Sequence, residues 1–263
     1  MYFLISTFSV FLICIFNVSA QISQVKVVYH QKIAYKTGGK STSDSAVLFA
    51  TPAQALYIKN PQYKEVRTET KKVEEYGVNL EFKTLLKSEP YYKYLGERTV
   101  YQVFYEASAA SSLVLKDPLP DFGWTITSKV RQIGGYDCVK AVSQTFRGRV
   151  YEAWFTYLIP ISSGPWKLSG LPGLILEAND QQQEVFFYFK SLQASFKESV
   201  DYQYPKDLQL VNQDQFNQMV VEKFKALRKQ QKAMFGEQAS KANHTYNAIE
   251  IFPELIEALK SVE

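Results

Sequence analysis

Short runs of β-branched and aromatic residues recur along most of the chain, and each run ends near Gly, Pro, Ser or Asp. Side chains of these types suit a pleated, half-buried surface, so the pattern predicts successive β-strands between residues 24 and 201. Clear examples cover residues 25–30, 55–58, 99–105 and 112–115. No internal repeat or long linker divides this region. We therefore expect one β-rich unit.

Two tight reversals predict how these strands run. Arg147-Gly148-Arg149 separates one pair of runs, and Asn179-Asp180 separates another. Gly148 can take the positive φ that a two-strand turn needs. Sequential hairpins favour an antiparallel meander over a parallel α/β sheet. The spacing of runs and turns predicts a strongly curved antiparallel sheet of about nine or ten strands.

The C-terminal part, residues 213–263, changes period. Apolar residues recur at helical spacing from Asp214 onward, with Lys and Gln between them. Asn212 or Asp214 is a suitable N-cap, and Pro253 suits the first turn of a second, short helix. We expect both helices to pack their apolar stripes on the sheet, which makes the fold mainly β (α+β).

Residues 1–20 contain no Lys, Arg, Asp or Glu, and small residues at Val18-Ser19-Ala20 precede Gln21. This pattern predicts a signal peptide over 1–20 that is cleaved to leave residues 21–263 as a single domain. A membrane anchor is the alternative, because the stretch reaches the roughly 20 residues of a spanning helix. Its polar C-terminal end favours cleavage. We expect an exported protein of the periplasm or outer-membrane periphery that does not span a membrane after cleavage.

Composition and motifs argue against several functions. The net charge of +4 is mild and the basic residues are scattered, which disfavours nucleic acid as a partner. The two histidines, His30 and His244, lie in no metal-binding spacing, so we predict neither metal nor cofactor. No Gly-x-Ser-x-Gly motif is present. Cys138 is expected to be a buried structural thiol, because no base is placed beside it.

Carboxylates leave one enzymatic alternative open. Glu152, Glu177 and Asp180 lie on neighbouring predicted strands, where two of them can face each other as in a glycosidase. Sheets also place opposite charges side by side for stability alone. The sequence therefore predicts no specific enzyme.

The segment from Trp154 to Asp180 is rich in Gly, Pro and large apolar residues. One interpretation is a loop that folds over the sheet as part of the core, since large apolar side chains are usually buried. The other is a lip that binds a ligand, since binding groups concentrate on loops held by a rigid scaffold. The candidates for such a lip are Trp166, Leu171 and Leu174.

Two arginines beside this segment are further binding candidates. Arg147 and Arg149 flank Gly148 close to Trp154 in the sequence. A guanidinium binds carboxylate or phosphate as a fork and stacks on aromatic rings. The functional interpretation is a site for an anionic headgroup or an acidic loop of a partner. The structural interpretation is a hairpin with one arginine packed along the tryptophan.

The same region resembles a known family. Gly170-Leu171-Pro172-Gly173-Leu174-Ile175 is the signature of the GLPGLI family of exported envelope proteins from Bacteroidota, and the agreement spans roughly residues 120–190. Further matching elements are Trp124, Gly135-Tyr136-Asp137-Cys138-Val139-Lys140-Ala141, Phe146-Arg147-Gly148-Arg149, Tyr151-Glu152-Ala153-Trp154, Ile159-Pro160-Ile161 and Gly164-Pro165-Trp166-Lys167. The resemblance implies export and a shared β-rich fold, without a known reaction, substrate or cofactor.

These observations lead to two hypotheses of function. The first is a non-enzymatic binding module whose apolar groove under the Trp166–Leu176 loop holds a lipid, a peptide or a partner strand. The second is a structural or assembly factor that contacts outer-membrane proteins through its sheet edge. Asp44-Ser45-Ala46 also resembles an O-glycosylation acceptor of Bacteroidota, which marks Ser45 as a candidate modification site.

Overall fold

A computed structural model describes residues 22–34, 41–63, 67–75, 78–106, 112–235, 250 and 252–261. The strands in these ranges are β1 (Val25–Ala34), β2 (Ser41–Ala50), β3 (Gln54–Lys59), β4 (Arg67–Glu75), β5 (Val78–Leu86), β6 (Glu89–Tyr94), β7 (Thr99–Phe104), β8 (Leu113–Pro118), β9 (Thr125–Ile133), β10 (Tyr136–Val142), β11 (Tyr151–Thr156), β12 (Leu174–Asp180), β13 (Val185–Ala194) and β14 (Gln209–Val211). The helices are α1 (Gln213–Phe235) and α2 (Pro253–Lys260). Residues 1–20 and His244 lie outside the described ranges.

Twelve of the described strands form one curled open sheet in the order β14-β8-β7-β6-β3-β2-β1-β13-β12-β11-β10-β9, while β4 and β5 form a separate hairpin. The mainly β fold with C-terminal helices is confirmed. The main sheet exceeds the expected nine or ten strands. One added strand is the polar edge strand β9, which is exposed over most of its length and has no apolar run by which to recognise it. Neighbours are antiparallel except β14, which pairs with β8 in parallel.

The helices follow the sequence prediction in position and only partly in packing. Asn212 caps α1 reciprocally with Gln215, since each side-chain oxygen accepts a 2.9 Å hydrogen bond from the other residue's backbone N–H. Phe216 packs on Phe104 of β7 with 4.7 Å between ring centroids. Met219 and Leu227 remain exposed, so the apolar stripe of α1 covers the sheet only near its start. In α2, Pro253 occupies the first turn, as predicted.

Between β11 and β12 the chain makes an excursion over residues 157–173, which we call the insert. Its large apolar side chains join the main core cluster with residues of β1, β3 and β11. The buried members are Ile159, Ile161, Trp166, Leu168 and Leu171. The insert therefore fills one face of the sheet as part of the core, which matches the first of the two interpretations.

Two backbone oxygens of the insert accept hydrogen bonds that tie it to the residue before β9 and to the start of β12. The indole N–H of Trp124 donates to the carbonyl oxygen of Ser169 at 2.8 Å, and the backbone N–H of Ile175 donates to Ser163 at 2.9 Å. No helix in the described part of the chain is long and apolar enough to cross a membrane.

Candidate functional site

The hairpin between β10 and β11 aims Arg147 back at the sheet. Phe146 and Arg149 bond each other through both backbone pairs, at 2.8 and 3.0 Å. The two residues between them, Arg147 and Gly148, have φ of 45° and 77°. Positive φ at both central positions is the geometry of the tight turns that match strand twist. The predicted turn at Gly148 is confirmed, and it forces a non-glycine residue, Arg147, into the left-handed region.

Arg147 belongs to a group of four charged side chains that we call the ion cluster: Asp117, Arg147, Lys167 and Glu250. The Arg147 guanidinium donates two parallel hydrogen bonds to Asp117 near the end of β8. The Nη1–Oδ2 distance is 2.8 Å and the Nη2–Oδ1 distance is 3.0 Å. Lys167 Nζ donates to the same Oδ2 at 2.9 Å. The cluster thus connects a strand end, a hairpin tip and the insert.

Glu250 completes the cluster from the C-terminal segment. Lys167 Nζ lies 2.8 Å from Oε1 and 2.9 Å from Oε2 of Glu250, and Arg147 Nη1 donates to Oε1. The Lys167 side chain is fully buried, and Asp117 is 3% exposed. Burial by itself raises the pKa of Asp117, but the hydrogen bond from Arg147 and the charge of Lys167 outweigh it, so the pKa lies below its usual value.

Arg149 forms a second, separate ion group at the β12–β13 hairpin. It pairs with Asp180 and with Glu184, the latter at 2.9 Å. Oδ1 of Asp180 also accepts the backbone N–H groups of Glu184 and Val185, each at 2.8 Å. Burial lowers the pKa of Arg149, but hydrogen bonds to Glu184 and Asp180 raise it above its usual value. The guanidinium of Arg149 is therefore engaged in stabilising the turn.

The prediction that a hairpin arginine stacks on Trp154 was wrong, because a different arginine covers this ring. Trp154 is half-buried, and the guanidinium that covers it is Arg131 of β9, 4.2 Å from the ring centroid. Arg131 also pairs with Glu177. Arg147 lies over Phe146 and Phe252 instead, at 5.0 and 4.5 Å. Arg131 is close to Trp154 in space although β10 lies between their strands, which separation along the sequence did not reveal.

The six binding candidates therefore do not converge on one site. Arg147 and Arg149 enter two different ion groups, while Trp166, Leu171 and Leu174 are buried in the core. Trp154 lies apart from them, beneath Arg131. Ser45 is exposed on β2, and its glycosylation stays a prediction.

The structure also shows the surroundings of the other residues that were considered for catalysis or metal binding. Burial raises the pKa of Cys138 to about 11, which opposes a thiolate nucleophile. Glu152, Glu177 and Asp180 each pair with a cation, namely Lys140, Arg131 and Arg149. No group of three or more metal-ligand side chains occurs among the described residues. His30 contacts Ser43 and stacks on Tyr188.

A groove on the opposite face of the sheet, which we call the outer-face groove, was missed by sequence analysis. Its volume is about 580 Å³. It is lined by Lys26, Val28, Ser45, Ala46, Val47, Phe49, Ile58, Pro61, Tyr63 and Ser88. The lining comes mainly from β1, β2 and β3. A signal was present in the continuous apolar run 46–50, because a strand that is apolar on both faces is covered on both.

The fold and these sites define the class of the protein: a curled open β-sheet closed on one face by an insert and an ion cluster. Residues 144–177 match the family model described as "Protein of unknown function (Porph_ging)". The matched stretch contains the hairpin, β11, the insert and the start of β12. No curated protein matches the chain in sequence.

Solved structures share the fold. The structure of PNGF-II in a P21 crystal is similar with a TM-score of 0.53 at 14% identity, covering 75% of this chain and 33% of that chain. The structure of PNGF-II in a C2 crystal gives a TM-score of 0.52 at 16% identity over 75% and 32%. This chain thus spans about a third of the length of PNGF-II. At this identity the likeness concerns the fold alone.

Proposed function

We propose that this chain is an exported, non-enzymatic binding module that holds an apolar ligand with an acidic head in the outer-face groove. The observation that carries the proposal is the groove itself, with its volume of about 580 Å³ and its lining of Val28, Val47, Phe49 and Ile58. Small-ligand sites span roughly 300–1,000 Å³ and are predominantly apolar with a few polar groups. The outer-face groove meets both criteria.

Lys26 supplies the charge preference. Among the described lining residues, Lys26 is the single charged side chain. Its Nζ pairs with Glu198, and the two side chains are 27% and 49% exposed. A pair this exposed contributes little to stability, so an acidic headgroup can replace Glu198 at small cost.

The ligand is placed in this groove rather than under the insert. Trp166, Leu171 and Leu174 already pack against the core, and interiors at native packing density leave no room for a guest. The outer-face groove needs no such rearrangement. This choice keeps the class of ligand expected from the sequence and changes its location.

Export and family membership are further parts of the proposal. The Porph_ging match over residues 144–177 and the Gly170–Ile175 signature support membership of the GLPGLI family of Bacteroidota. The charge-free stretch over residues 1–20 supports a signal peptide and a periplasmic or outer-membrane location. Detection of the processed chain in a periplasmic fraction, beginning at Gln21, tests this part.

Binding is tested with a fluorescent fatty acid, cis-parinaric acid. Wild type should bind it saturably, and Ile58→Asp should weaken binding about tenfold or more, because a carboxylate enters an apolar lining. Val130→Asp is the matched control, since Val130 is 71% exposed on β9, outside the groove. It should bind as wild type does, with circular dichroism verifying that both variants fold.

Lys26→Ala separates headgroup recognition from apolar burial. It should weaken binding of the free acid and leave binding of the methyl ester unchanged. Absence of saturable binding to wild type, or equal binding by Ile58→Asp, contradicts the proposal.

The sheet edge favours a second candidate function, an assembly factor for outer-membrane proteins. Among the described strands, β9 pairs only with β10, and its Ile126 and Val130 are 43% and 71% exposed. An open edge with exposed apolar residues accepts a partner strand. A photo-crosslinker at position 126 should capture one dominant envelope protein, and adding Val130→Pro should abolish the adduct. Diffuse adducts argue against this function.

A further inference from the structure

Three members of the ion cluster form a site without the C-terminal segment. Asp117, Arg147 and Lys167 come from β8, the β10–β11 hairpin and the insert. Asp117 accepts three hydrogen bonds within this group, one from Arg147 on each oxygen and one from Lys167 on Oδ2. The remaining hydrogen-bonding capacity of both cations points to one shared position.

Glu250 occupies that position. It is 83 residues from Lys167 and 103 from Arg147 in the sequence, so its place depends on the docking of a separate segment. Lys167 reaches both of its oxygens, at 2.8 and 2.9 Å. Two cations therefore hold one carboxylate, next to that of Asp117.

The charge balance requires an anion here. Without Glu250, Arg147 and Lys167 face a single carboxylate, which leaves one excess positive charge around a lysine that is fully buried. An uncompensated buried charge is strongly unfavourable. An anion entering from solvent relieves it as well as Glu250 does.

The site is held in shape by two strained backbone positions. Arg147 and Trp166 have φ of 45° and 52°, in the left-handed region that bulky residues rarely adopt. Both positions orient the cluster, since Trp166 precedes Lys167. Aromatic rings line it, with Lys167 Nζ 5.8 Å from the centroid of Trp166 and Arg147 5.0 Å from that of Phe146.

We infer that Arg147 and Lys167 form a carboxylate-binding site for which Glu250 is the internal occupant, and that an external carboxylate binds there when the Glu250 carboxylate is absent. The position fits one planar carboxylate, since Lys167 Nζ donates hydrogen bonds to both of its oxygens. Asp117 adjoins it and repels an anion of higher charge such as phosphate. This inference is independent of the outer-face groove.

Chemical rescue tests the site in the full-length chain. Glu250→Ala removes the carboxylate and leaves space for acetate. The melting temperature of this variant should be several degrees below that of wild type, and 100 mM acetate should restore at least half of the loss while chloride at equal ionic strength does not. Wild type and Glu222→Ala, a variant on the exposed face of α1, should show no difference between acetate and chloride.

Two further measurements keep the test decisive. In Glu250→Ala/Lys167→Met the acetate effect should disappear, because the second cation is gone. If Glu250→Ala is unfolded at rest, its refolded fraction after dilution from denaturant should be higher in acetate than in chloride. Equal behaviour in the two salts, or equal rescue by phosphate, overturns the inference.

Discussion

The Nζ of Lys93 on β6 donates a 2.6 Å hydrogen bond to the carbonyl oxygen of Gly164 in the insert. The two residues are 71 positions apart, so the bond links the middle of the sheet to the segment that fills its core. Lys93 is 1% exposed. Burial lowers its pKa to about 7, because a charged ammonium is poorly solvated there.

This burial predicts a pH dependence of stability. The pKa of Lys93 falls from 10.5 in the unfolded chain to about 7 in the folded one. Between these values the unfolded state binds more protons, so the contribution of Lys93 to the free energy of unfolding rises with pH, by at most about 1.4 kcal/mol per pH unit. Urea denaturation at pH 7.5 and 8.5 gives the free energy of unfolding at each pH. For Lys93→Met its increase with pH should be smaller than that of wild type, by up to that amount. Lys116→Met, at an exposed position on β8, should keep the wild-type slope; an unchanged slope in Lys93→Met contradicts the assignment.

Asp117 should contribute most strongly at neutral pH. Asp117→Asn removes one of the two carboxylates that Lys167 and Arg147 share, and breaking a buried ion pair from one side costs about 3–5 kcal/mol. Since the pKa of Asp117 is lowered in the fold, its contribution is present above about pH 3.8 and is lost as the pH falls below that value. Chemical denaturation should show a smaller difference in the free energy of unfolding between wild type and Asp117→Asn at pH 3 than at pH 7. Asp137→Asn, at an exposed position on β10, should change stability by less than about 0.5 kcal/mol.

Gly173 marks the point where the insert rejoins the sheet. A Cβ at this position would lie 2.1 Å from the backbone oxygen of Thr156, which cannot move without disturbing β11. Gly173→Ala should therefore destabilise the fold by roughly 1–3 kcal/mol or more. Gly96→Ala is the control, because no heavy atom lies within 4 Å of its Cβ. Equal melting temperatures for the two variants would show that the insert is not anchored there.

The tryptophans of the insert and of β11 should differ in their effect on stability. Trp166 is 2% exposed within the core, and Trp166→Ala should cost about 3–5 kcal/mol. Trp154 packs under Arg131 at the surface, and Trp154→Ala should cost about 1 kcal/mol, the order of a partly exposed cation–π contact. Guanidinium denaturation monitored by circular dichroism compares them. A larger loss for Trp154→Ala would contradict the placement of the insert in the core.

Sequence patterns predicted the elements that depend on near neighbours. Gly148 identified its hairpin because positive φ is a local requirement, and Asn212 and Pro253 marked helix starts for equally local reasons. The parallel pairing of β14 with β8 was not predictable in this way. Neither was the edge strand β9, since exposure on both faces leaves no apolar periodicity to detect.

The candidate sites show the same division. Arg147 was recognised as an anion-binding group, but its partners Asp117 and Glu250 lie 30 and 103 residues away. Lys167 appeared only within a motif, and nothing in its surroundings along the chain indicates complete burial. The outer-face groove required the register that places Val28, Val47 and Ile58 side by side.

By itself, the sequence determined the strand-rich composition, the tight hairpin, the two helices and the apolar insert, because each of these follows from the conformational preferences and periodicity of adjacent residues. Tertiary structure alone decided that the insert fills the core, that three other charged side chains meet around Lys167, and that an apolar groove opens on the other face. These depend on which strands become neighbours in the curled sheet. Pairing between distant strands is selected by the packing of the whole molecule, and no local pattern encodes it.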